Sequence, residues 1–316
     1  MILALAGGVG GAKLANGLAQ CLAPEELVIA VNTGDDFEHL GLHVSPDLDS
    51  VMYRLAGLND TERGWGLAGE SWRFMEALGR LGGETWFNLG DKDLATHVER
   101  TRCLRAGQSL SEVTTTMCRS LGIRHRVVPM SDDPVRTVVR THDGPIPFQD
   151  YFVRLRCEPA VRGFAFDGAE TAQPSAAFAA ALMDPALAAI VLCPSNPYVS
   201  VAPILALPAV RAAIMARTVP LVAVSPIVGG DAVKGPAAKM MRELGFEPSA
   251  MVIADHYGSL LDGIVIDTAD SALAPGIESA GTATLTTGTL MRDADDERRL
   301  AAETLAFARS LRTMRS

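Results

Sequence analysis

The sequence predicts an α/β protein with a doubly wound, mostly parallel sheet and an inserted, mainly helical cap. Short apolar runs such as ILALA, LVIAVNT and MVIAD end abruptly in polar or glycine-rich turns, and helical patterns such as AKLANGLAQCLA and VKGPAAKMMREL separate them. Continuous apolar strands that alternate with amphipathic helices are typical of parallel sheets with helices on both faces. Such sheets bind ligands at the carboxyl ends of their strands.

The middle of the chain differs from its two ends. Residues 46–169 contain more Arg, Trp and Asp and few continuous strand runs. We therefore predict an α/β core from residues 1–45 and 170–316, and a largely helical cap over the active site from residues 46–169. The apolar stretch from Ala176 to Pro194 is divided by Asp184 and Pro185, which indicates a helix, a turn and a buried strand. The tail from Asp293 onward predicts a terminal helix.

The overall charge is acidic. The 316 residues carry a formal charge of −9, and 48% of them are apolar. This balance argues against sequence-independent binding to nucleic acid or anionic lipid, because both require clustered Lys and Arg. The first apolar run leads into a glycine turn instead of a signal cleavage site. We expect a cytoplasmic protein that binds neither nucleic acid nor membranes.

The turn between the first strand and the first helix is rich in glycine and is followed by a lysine. Glycine allows a positive φ and lets an anion approach several N–H groups, so the turn is a predicted nucleotide or phosphate site. It matches neither a Walker A loop nor a G-x-G-x-x-G fingerprint, and a tight turn without a ligand is the alternative. Residues that follow later strands are predicted to join this site, although plain strand-to-helix connections are equally consistent with them. The predicted nucleotide-binding residues are Gly7, Gly8, Gly10, Gly11, Lys13, Asn32, Ser195, Asn196, Gly229 and Gly230.

Acidic side chains cluster after the second predicted strand. Asp35 and Asp36 lie in VNTGDDFEHLG, and Asp47 and Asp49 lie in VSPDLDSVMY. Carboxylates are the protein ligands that Mg²⁺ prefers. If SPDLD is extended, its two acids face the same side; the alternative is that Asp47 caps a helix beginning near Ser50. We predict a magnesium site formed by Asp36, Asp47 and Asp49.

Two further acidic clusters lie at the edges of the predicted cap. They are LGDKDLATHVERT, which contains Lys92 and His97, and PMSDDPV. Lys92 and His97 could contact a substrate, while packing or capping is the alternative for His97.

Taken together, these segments resemble a known family. In order along the chain, AGGVGGAKL, VNTGDDFEHLGLHVSPDLDSVMYRLAG, LGDKDLATHVERT, PMSDDPV, FQDYFV, PSNPYVSVAPIL and SPIVGGDAVKGPAAKMM resemble the 2-phospho-L-lactate transferases that build the deazaflavin coenzyme F-420. The likeness extends from Met1 to about Asp270. It implies a Rossmann-like core with a helical insertion, a requirement for Mg²⁺ and a homodimer.

The resemblance also implies a reaction. A phosphorylated small acid (a 2-phospholactate, phosphoenolpyruvate or 3-phosphoglycerate moiety) is transferred from its guanosine diphosphate conjugate to the ribityl hydroxyl of the deazaflavin Fo, with release of GMP. Asp49 and Lys92 match positions that family members use to bind Fo. Asp47 and Asp49 are the expected catalytic pair, which binds the metal or orients the hydroxyl. The expected Fo-binding residues are Asp49, Asp91, Lys92, Asp132 and Asp133.

The sequence departs from some family members at two places. Some carry GGTGTPKL, whereas here Val9, Gly11 and Ala12 remove the threonine hydroxyl and the proline; others carry Arg in place of Lys92, which here supplies a point charge.

Two other classes of protein are alternatives. The gluconeogenesis-factor proteins resemble this fold and glycine turn but look like nucleotide-sugar-binding regulators without a transfer reaction. SPDLDSVMY, LGDKDLATH and FQDYF match the transferases and are not expected in the regulators. A Rossmann oxidoreductase is disfavoured because the glycines of the turn do not match the G-x-G-x-x-G spacing. The sequence leaves open which acid is transferred and which carboxylate binds the metal.

Overall fold

A seven-stranded sheet organises the chain in the computed structural model, which describes residues 1–315 and the side chains of residues 1–311. The strands are β1 (Ile2–Ala6), β2 (Leu27–Val31), β3 (Phe37–His39), β4 (Leu42–Val44), β5 (Arg126–Pro129), β6 (Arg136–Thr141), β7 (Gly144–Pro147), β8 (Val161–Asp167), β9 (Ala189–Leu192), β10 (Leu221–Val224), β11 (Ile227–Val228), β12 (Asp231–Ala232), β13 (Gly263–Asp267) and β14 (Ala283–Thr287). The helices are α1 (Gly8–Cys21), α2 (Pro46–Leu55), α3 (Arg73–Arg80), α4 (Asp91–Arg105), α5 (Leu110–Ser120), α6 (Ala176–Leu182), α7 (Ala202–Ala206), α8 (Pro208–Ala216), α9 (Ala237–Glu243), α10 (Ala250–Tyr257), α11 (Ala274–Ser279) and α12 (Ala294–Arg315).

The sheet is parallel and doubly wound, which confirms the predicted fold class. Its strand order is β14-β13-β10-β9-β1-β2-β5, and every neighbouring pair is parallel. The chain runs outward from β1 to β2 and β5 on one side, and from β9 to β10, β13 and β14 on the other. The direction therefore reverses between β1 and β9, where the connections at the carboxyl ends diverge and leave a crevice for a ligand.

Alternating side chains of the central strand divide the core between the two faces of the sheet. Leu3 and Leu5 pack with the layer that contains α6 to α11, whereas Ala4 and Ala6 pack with α1, α2, α5 and α12. This two-residue period follows from the pleat of a strand. Both faces are buried, so β1 appears in the sequence as a continuous apolar run.

The range expected to be a helical cap contains strands as well. Helices α2 to α5 lie within residues 46–169, but β5 in the same range pairs with β2 at one edge of the main sheet. Strands β6, β7 and β8 form a separate antiparallel sheet. These strands were missed because β5 has four residues and because β6 (RTVVRT) alternates buried and partly exposed side chains, so neither forms a long apolar run.

The apolar stretch from Ala176 to Pro194 folds as predicted, with α6, a turn and the buried strand β9. Among the described residues, no single helix is long and apolar enough to cross a membrane. One bent pair of helices, Pro197–Ala206 with Pro208–Ala216, has sufficient length and apolar composition when the two are taken together.

Candidate functional site

A cleft of about 680 Å³ opens at the carboxyl ends of the strands, where the winding of the sheet reverses. Its floor is the glycine turn after β1 and the loop after β9. Helices α2 and α4 and the segments 64–66, 148–153 and 233–237 form its walls. Its location is where open parallel sheets bind ligands.

Three of the four glycines in the turn are required by close packing. A Cβ at Gly10 would lie 2.3 Å from the carbonyl oxygen of Pro194, and one at Gly11 would lie 2.6 Å from Ser195 Oγ. A Cβ at Gly7 would lie 2.6 Å from Asp47 Oδ2. Gly8 has a φ of +62°, and a Cβ there would make only an ordinary contact with Ser200 Oγ at 3.9 Å. The turn is therefore held against the loop after β9 and against α2.

Asp47 caps the N-terminus of α1. Its Oδ1 accepts a hydrogen bond from the Gly8 N–H at 2.7 Å, and its Oδ2 accepts one from Asn32 Nδ2 at 2.9 Å. Burial raises the pKa of Asp47 to about 6; these two hydrogen bonds oppose the rise, and the charge of Asp36 adds to it. The alternative that Asp47 caps a helix beginning near Ser50 is wrong, because that helix, α2, begins at Pro46 and contains Asp47; the helix that Asp47 caps is α1.

Asp47 and Asp49 point to different neighbours because their segment is helical, contrary to the extended geometry considered from the sequence. Helix α2 begins at Pro46, and proline is favoured in the first helical turn. Residues two apart on a helix are separated by about 200° around its axis. Asp49 consequently faces α4, where Arg100 donates two hydrogen bonds to it, one of them 3.2 Å long from Nη1 to Oδ2.

A buried polar cluster connects α2 with α4. His97 Nδ1 lies 3.7 Å from Asp49 Oδ2, and His97 Nε2 lies 3.5 Å from Asp93 Oδ2. The Tyr53 hydroxyl donates a 2.6 Å hydrogen bond to Asp93. Burial raises the pKa of Asp49, against the opposing charges of Arg100 and His97. At Asp93 the effect of burial is outweighed by His97, Tyr53 and Arg100, so its pKa is lowered.

Asp35 lines the cleft on the side of Asp47. Its Oδ1 is buried and has no hydrogen-bond partner among the described residues. Burial and then the charge of Asp47 raise the pKa of Asp35 well above its ordinary value. The next residue, Asp36, accepts two hydrogen bonds at its Oδ2, from His43 Nε2 at 3.0 Å and from Ser45 Oγ at 2.8 Å. Its Oδ1 is also buried without a partner among the described residues, but Asp36 does not line the cleft.

The donor set at Asp35 and Asp47 fits a hard divalent cation. A cation there would give the orphaned oxygen a partner and would relieve the repulsion between the two carboxylates. Asp49, Asp93 and His97 also bring ligand atoms within 4.8 Å of one another. The Arg100 guanidinium on Asp49 opposes a second cation at that position.

Two lysines approach the cleft near the glycine turn. Lys13 Nζ donates a 2.6 Å hydrogen bond to the Met291 carbonyl, and Lys234 Nζ donates a 3.0 Å hydrogen bond to the Gly64 carbonyl. Burial and the charge of Lys13 lower the pKa of Lys234. In the described part of the chain neither ammonium forms an ion pair with a carboxylate. Two converging ammonium groups without a counter-ion are suited to an anionic ligand.

The structure brings many of the predicted site residues to the cleft, but not all of them. The predicted residues that line it are Gly7, Gly8, Gly10, Lys13, Asp47, Asp49, Ser195 and Asn196. The predicted residues outside its lining are Gly11, Asn32, Asp36, Asp91, Lys92, Asp132, Asp133, Gly229 and Gly230.

Asp132 and Asp133 hold neighbouring backbone segments. Asp132 accepts hydrogen bonds from the N–H and hydroxyl of Ser111 at the start of α5, at 2.7 and 2.9 Å. Asp133 accepts a 2.8 Å hydrogen bond from the Gln173 N–H. The sequence does not distinguish such capping acids from ligands, because both occur in polar turns.

Asp91 and Lys92 also bond to the protein. Asp91 accepts a 3.1 Å hydrogen bond from the Phe74 N–H, and Lys92 Nζ donates a 2.8 Å hydrogen bond to the Ala68 carbonyl. The Gly229 N–H is likewise taken by Asp270. Roles of these residues in binding Fo or the nucleotide stay predictions.

Sequence reasoning missed the aromatic wall of the cleft. Trp65, Phe87, Phe148 and Phe152 all contribute to its lining. The rings of Phe148 and Phe152 are stacked, with centroids 5.4 Å apart and an interplanar angle of 7°. The segments GWG, WFNLG and FQDYF carry these rings, so the signal was present as aromatic residues in polar, glycine-rich surroundings.

Comparisons with known proteins identify a family and several relatives. A family model described as 2-phospho-L-lactate transferase CofD matches residues 2–287. A phosphoenolpyruvate transferase from Streptomyces avermitilis is 42% identical over 318 residues, which cover 99% of each chain. A 2-phospho-L-lactate transferase from Methanopyrus kandleri is 38% identical over 311 residues, which cover 97% of each chain.

The fold is also shared with a solved structure. A member of the UPF0052 family from Bacillus halodurans superposes with a TM-score of 0.62 and 15% identity, over 96% of this chain and 98% of that chain. This likeness concerns the fold alone. The family match and the relatives confirm the resemblance that the motifs indicated, and the chain belongs to the 2-phospho-L-lactate transferase CofD family.

Proposed function

We propose that this chain is a Mg²⁺-dependent phosphotransferase of coenzyme F-420 biosynthesis. It transfers a phosphorylated small acid from a guanosine diphosphate conjugate to the ribityl hydroxyl of Fo and releases GMP. Family membership and the names of the relatives support the reaction class. The observation that carries the proposal is one cleft that combines a helix N-terminus with two buried carboxylates and with two lysines that form no ion pair among the described residues.

The phosphates of the donor bind at the start of α1. The N–H groups of a first helical turn have no partners within the helix, and Asp47 takes the one from Gly8. Val9 and Gly10 also line the cleft, and Lys13 and Lys234 add two positive charges beside them. These groups neutralise the diphosphate and the charge that develops on departing GMP.

Asp47 and Asp35 are the proposed Mg²⁺ ligands. The ion would supply charge neutralisation at the transferred phosphoryl group. Of the three acids expected at the metal, Asp47 is retained in this proposal. Asp36 is left out because it does not line the cleft, although its Oδ1 also has no hydrogen-bond partner among the described residues. Asp49 is left out because the Arg100 guanidinium forms an ion pair with it.

Asp49 is the proposed acceptor of the proton from the Fo hydroxyl. Burial raises its pKa, which brings the carboxylate closer to the range of an effective base. As the hydroxyl oxygen forms its bond to phosphorus, the proton moves to Asp49 and the bond to the GMP oxygen breaks. Phe148, Phe152 and Trp65 offer apolar faces for the flat deazaflavin ring. The proposal for Lys92 as an Fo contact rests on the resemblance alone.

The identity of the transferred acid, the oligomeric state and the cellular location can each be tested directly. The relatives carry names with two different acids, so we keep all three candidate donors. Homodimer formation and a cytoplasmic location rest on the resemblance and on the sequence, and a light-scattering mass measurement would test the first.

The deciding experiment is a transfer assay with Mg²⁺, Fo and each of the three donor conjugates. Fo conversion is followed by mass and by its fluorescence on a chromatogram, and GMP is measured as the second product. The proposal expects conversion with at least one conjugate and none after chelation of Mg²⁺. Fo that remains unconverted with all three donors, in the presence of folded protein, would contradict it and favour a nucleotide-sugar-binding regulator.

A further inference from the structure

The C-terminal helix α12 packs closely on α1, on the face of the sheet that carries α2. The family match ends at residue 287, before this helix begins. At Gly17 of α1, an added Cβ would lie 2.1 Å from the carbonyl oxygen of Glu297. The backbones of α1 and α12 therefore meet at Glu297, where only glycine allows so close an approach.

The side chain of Glu297 joins two helices that build the cleft. It is fully buried. Its Oε2 accepts a 2.7 Å hydrogen bond from Asn16 Nδ2 on α1 and a 3.2 Å hydrogen bond from Arg54 Nε on α2. Its Oε1 accepts a second hydrogen bond from the Arg54 guanidinium. A bidentate contact of this kind fixes the orientation of the guanidinium as well as its distance from the carboxylate.

Arg54 extends the connection to the rim of the cleft. Its Nη1 donates a 3.3 Å hydrogen bond to Asn59 Oδ1, and the backbone of Asn59 forms an antiparallel bridge with Leu67. The loop between these two residues contains Gly64, Trp65 and Gly66, which line the cleft. A single buried carboxylate is thus connected to α1, α2 and this loop.

The same two helices are also connected at their N-terminal ends, inside the cleft. There the Gly8 N–H of α1 donates to Asp47 of α2. The segment before α12 adds a further contact, since the Met291 carbonyl accepts the hydrogen bond from Lys13 Nζ. The spacing of α1 from α2 therefore depends on contacts from the C-terminal segment as well as on the cleft itself.

We infer that Glu297 is a positioning residue for the transfer reaction. Through Arg54 and Asn16 it fixes the distance between the start of α1 and the carboxylate of Asp47, without contact to a substrate. This role rests on the proposed function of the cleft. A buried carboxylate is costly unless it is fully paired, and here the pairing joins elements that are distant in sequence. Misplacement by about 1 Å at a reacting centre can reduce a rate about a hundredfold.

The test compares Glu297→Gln with Glu303→Gln. Glu303 lies on the same helix, is partly exposed and contacts Arg299 and Thr287 instead of α1 or α2. Transfer kinetics and calorimetric titration with Mg²⁺ are measured at a temperature at which circular dichroism shows both variants folded. We expect Glu297→Gln to lower kcat and Mg²⁺ affinity by about tenfold or more, whereas Glu303→Gln stays within about twofold of the original protein.

The outcomes separate positioning from stability. A folded Glu297→Gln variant that has a lower melting temperature but unchanged kcat, KM and Mg²⁺ affinity would overturn the inference. If that variant does not fold, Arg54→Lys replaces it in the test. Lysine keeps the positive charge but cannot form the bidentate contact with Glu297, so kcat should fall. An unchanged kcat would refute the positioning role. An original protein without transfer activity would refute the proposed function alone, since the Mg²⁺ titrations would still test Glu297.

Discussion

The two acidic sides of the cleft differ in what balances their charge. On the α1 side, Asp35 and Asp47 both line the cleft, and Asp47 accepts hydrogen bonds from Gly8 and Asn32. Among the described residues, no arginine or lysine forms an ion pair with either acid. On the α4 side, Arg100 forms a buried ion pair with Asp49. Burial raises the pKa of Asp47 and Asp49 alike. Two acids two residues apart therefore lie in different surroundings, of which one is suited to a cation and the other to accepting a proton.

The largest expected effect is on the side that lacks a protein cation. Asp47→Asn removes a proposed Mg²⁺ ligand, and we expect kcat/KM for transfer to fall by about a thousandfold or more, because the metal supplies several kcal/mol to the transition state. Steady-state kinetics with Fo and the active donor measure this. Asp184→Asn is the control, because Asp184 accepts the Ala186 N–H in the turn before β9 and does not line the cleft. Equal losses in the two variants would contradict the proposed role of Asp47.

The second effect concerns the side that contains Arg100. Asp49→Asn removes the proposed proton acceptor, so kcat should fall by about a hundredfold or more. It also leaves the buried Arg100 unpaired, which should cost about 3–5 kcal/mol of the free energy of unfolding. Kinetics and urea unfolding measure the two losses. A variant with a normal rate and reduced stability would leave Asp49 with a structural task alone.

A smaller effect is expected at the phosphate end of the cleft. Lys234→Met removes one of two ammonium groups beside the glycine turn, and the KM for the donor should rise by about tenfold while the KM for Fo changes little. Lys239→Met is a suitable control, because Lys239 is paired with Glu243 on α9. If Lys234→Met changed the KM for Fo instead, Fo and not the donor would have to be assigned to the end of the cleft that contains Lys234.

The smallest effect is on stability, at the turn that supports the Asp47 side. An alanine at Gly10 would meet the carbonyl oxygen of Pro194, so Gly10→Ala should lower the free energy of unfolding by about 1–3 kcal/mol. Gly79→Ala in α3 is the control, since its Cβ would make an ordinary contact with the Thr85 side chain at 3.6 Å. Denaturant unfolding compares them, and equal stability of the two variants would show that the turn can relax.

The sequence predicted the sheet because its central strands are buried on both faces and appear as unbroken apolar runs. The same criterion missed β6, whose alternating pattern reflects an antiparallel strand with one exposed face. The position of the glycine turn was also predictable, since a strand followed directly by glycines and a helix is a local pattern. What the glycines contact was not, because Pro194 and Asp47 are distant in sequence.

The details of the site depended on long-range partners. The acids Asp47 and Asp49 were found from the sequence, but their different surroundings depend on the helical start at Pro46 and on Arg100, about fifty residues away. Residues i and i+2 point to the same face of a strand but to nearly opposite faces of a helix, so the spacing alone does not place the two side chains. The links from Glu297 to Asn16 and Arg54 could not be predicted, since they require the packing of three helices.

The most direct test of the metal site is a calorimetric titration of Mg²⁺, in the presence of GDP, into the original protein and into the Asp47→Asn and Asp49→Asn variants. We expect Asp47→Asn to lose Mg²⁺ binding and Asp49→Asn to retain it. Retained binding in Asp47→Asn, together with loss in Asp49→Asn, would place the cation on the α4 side and refute Asp47 as the metal ligand.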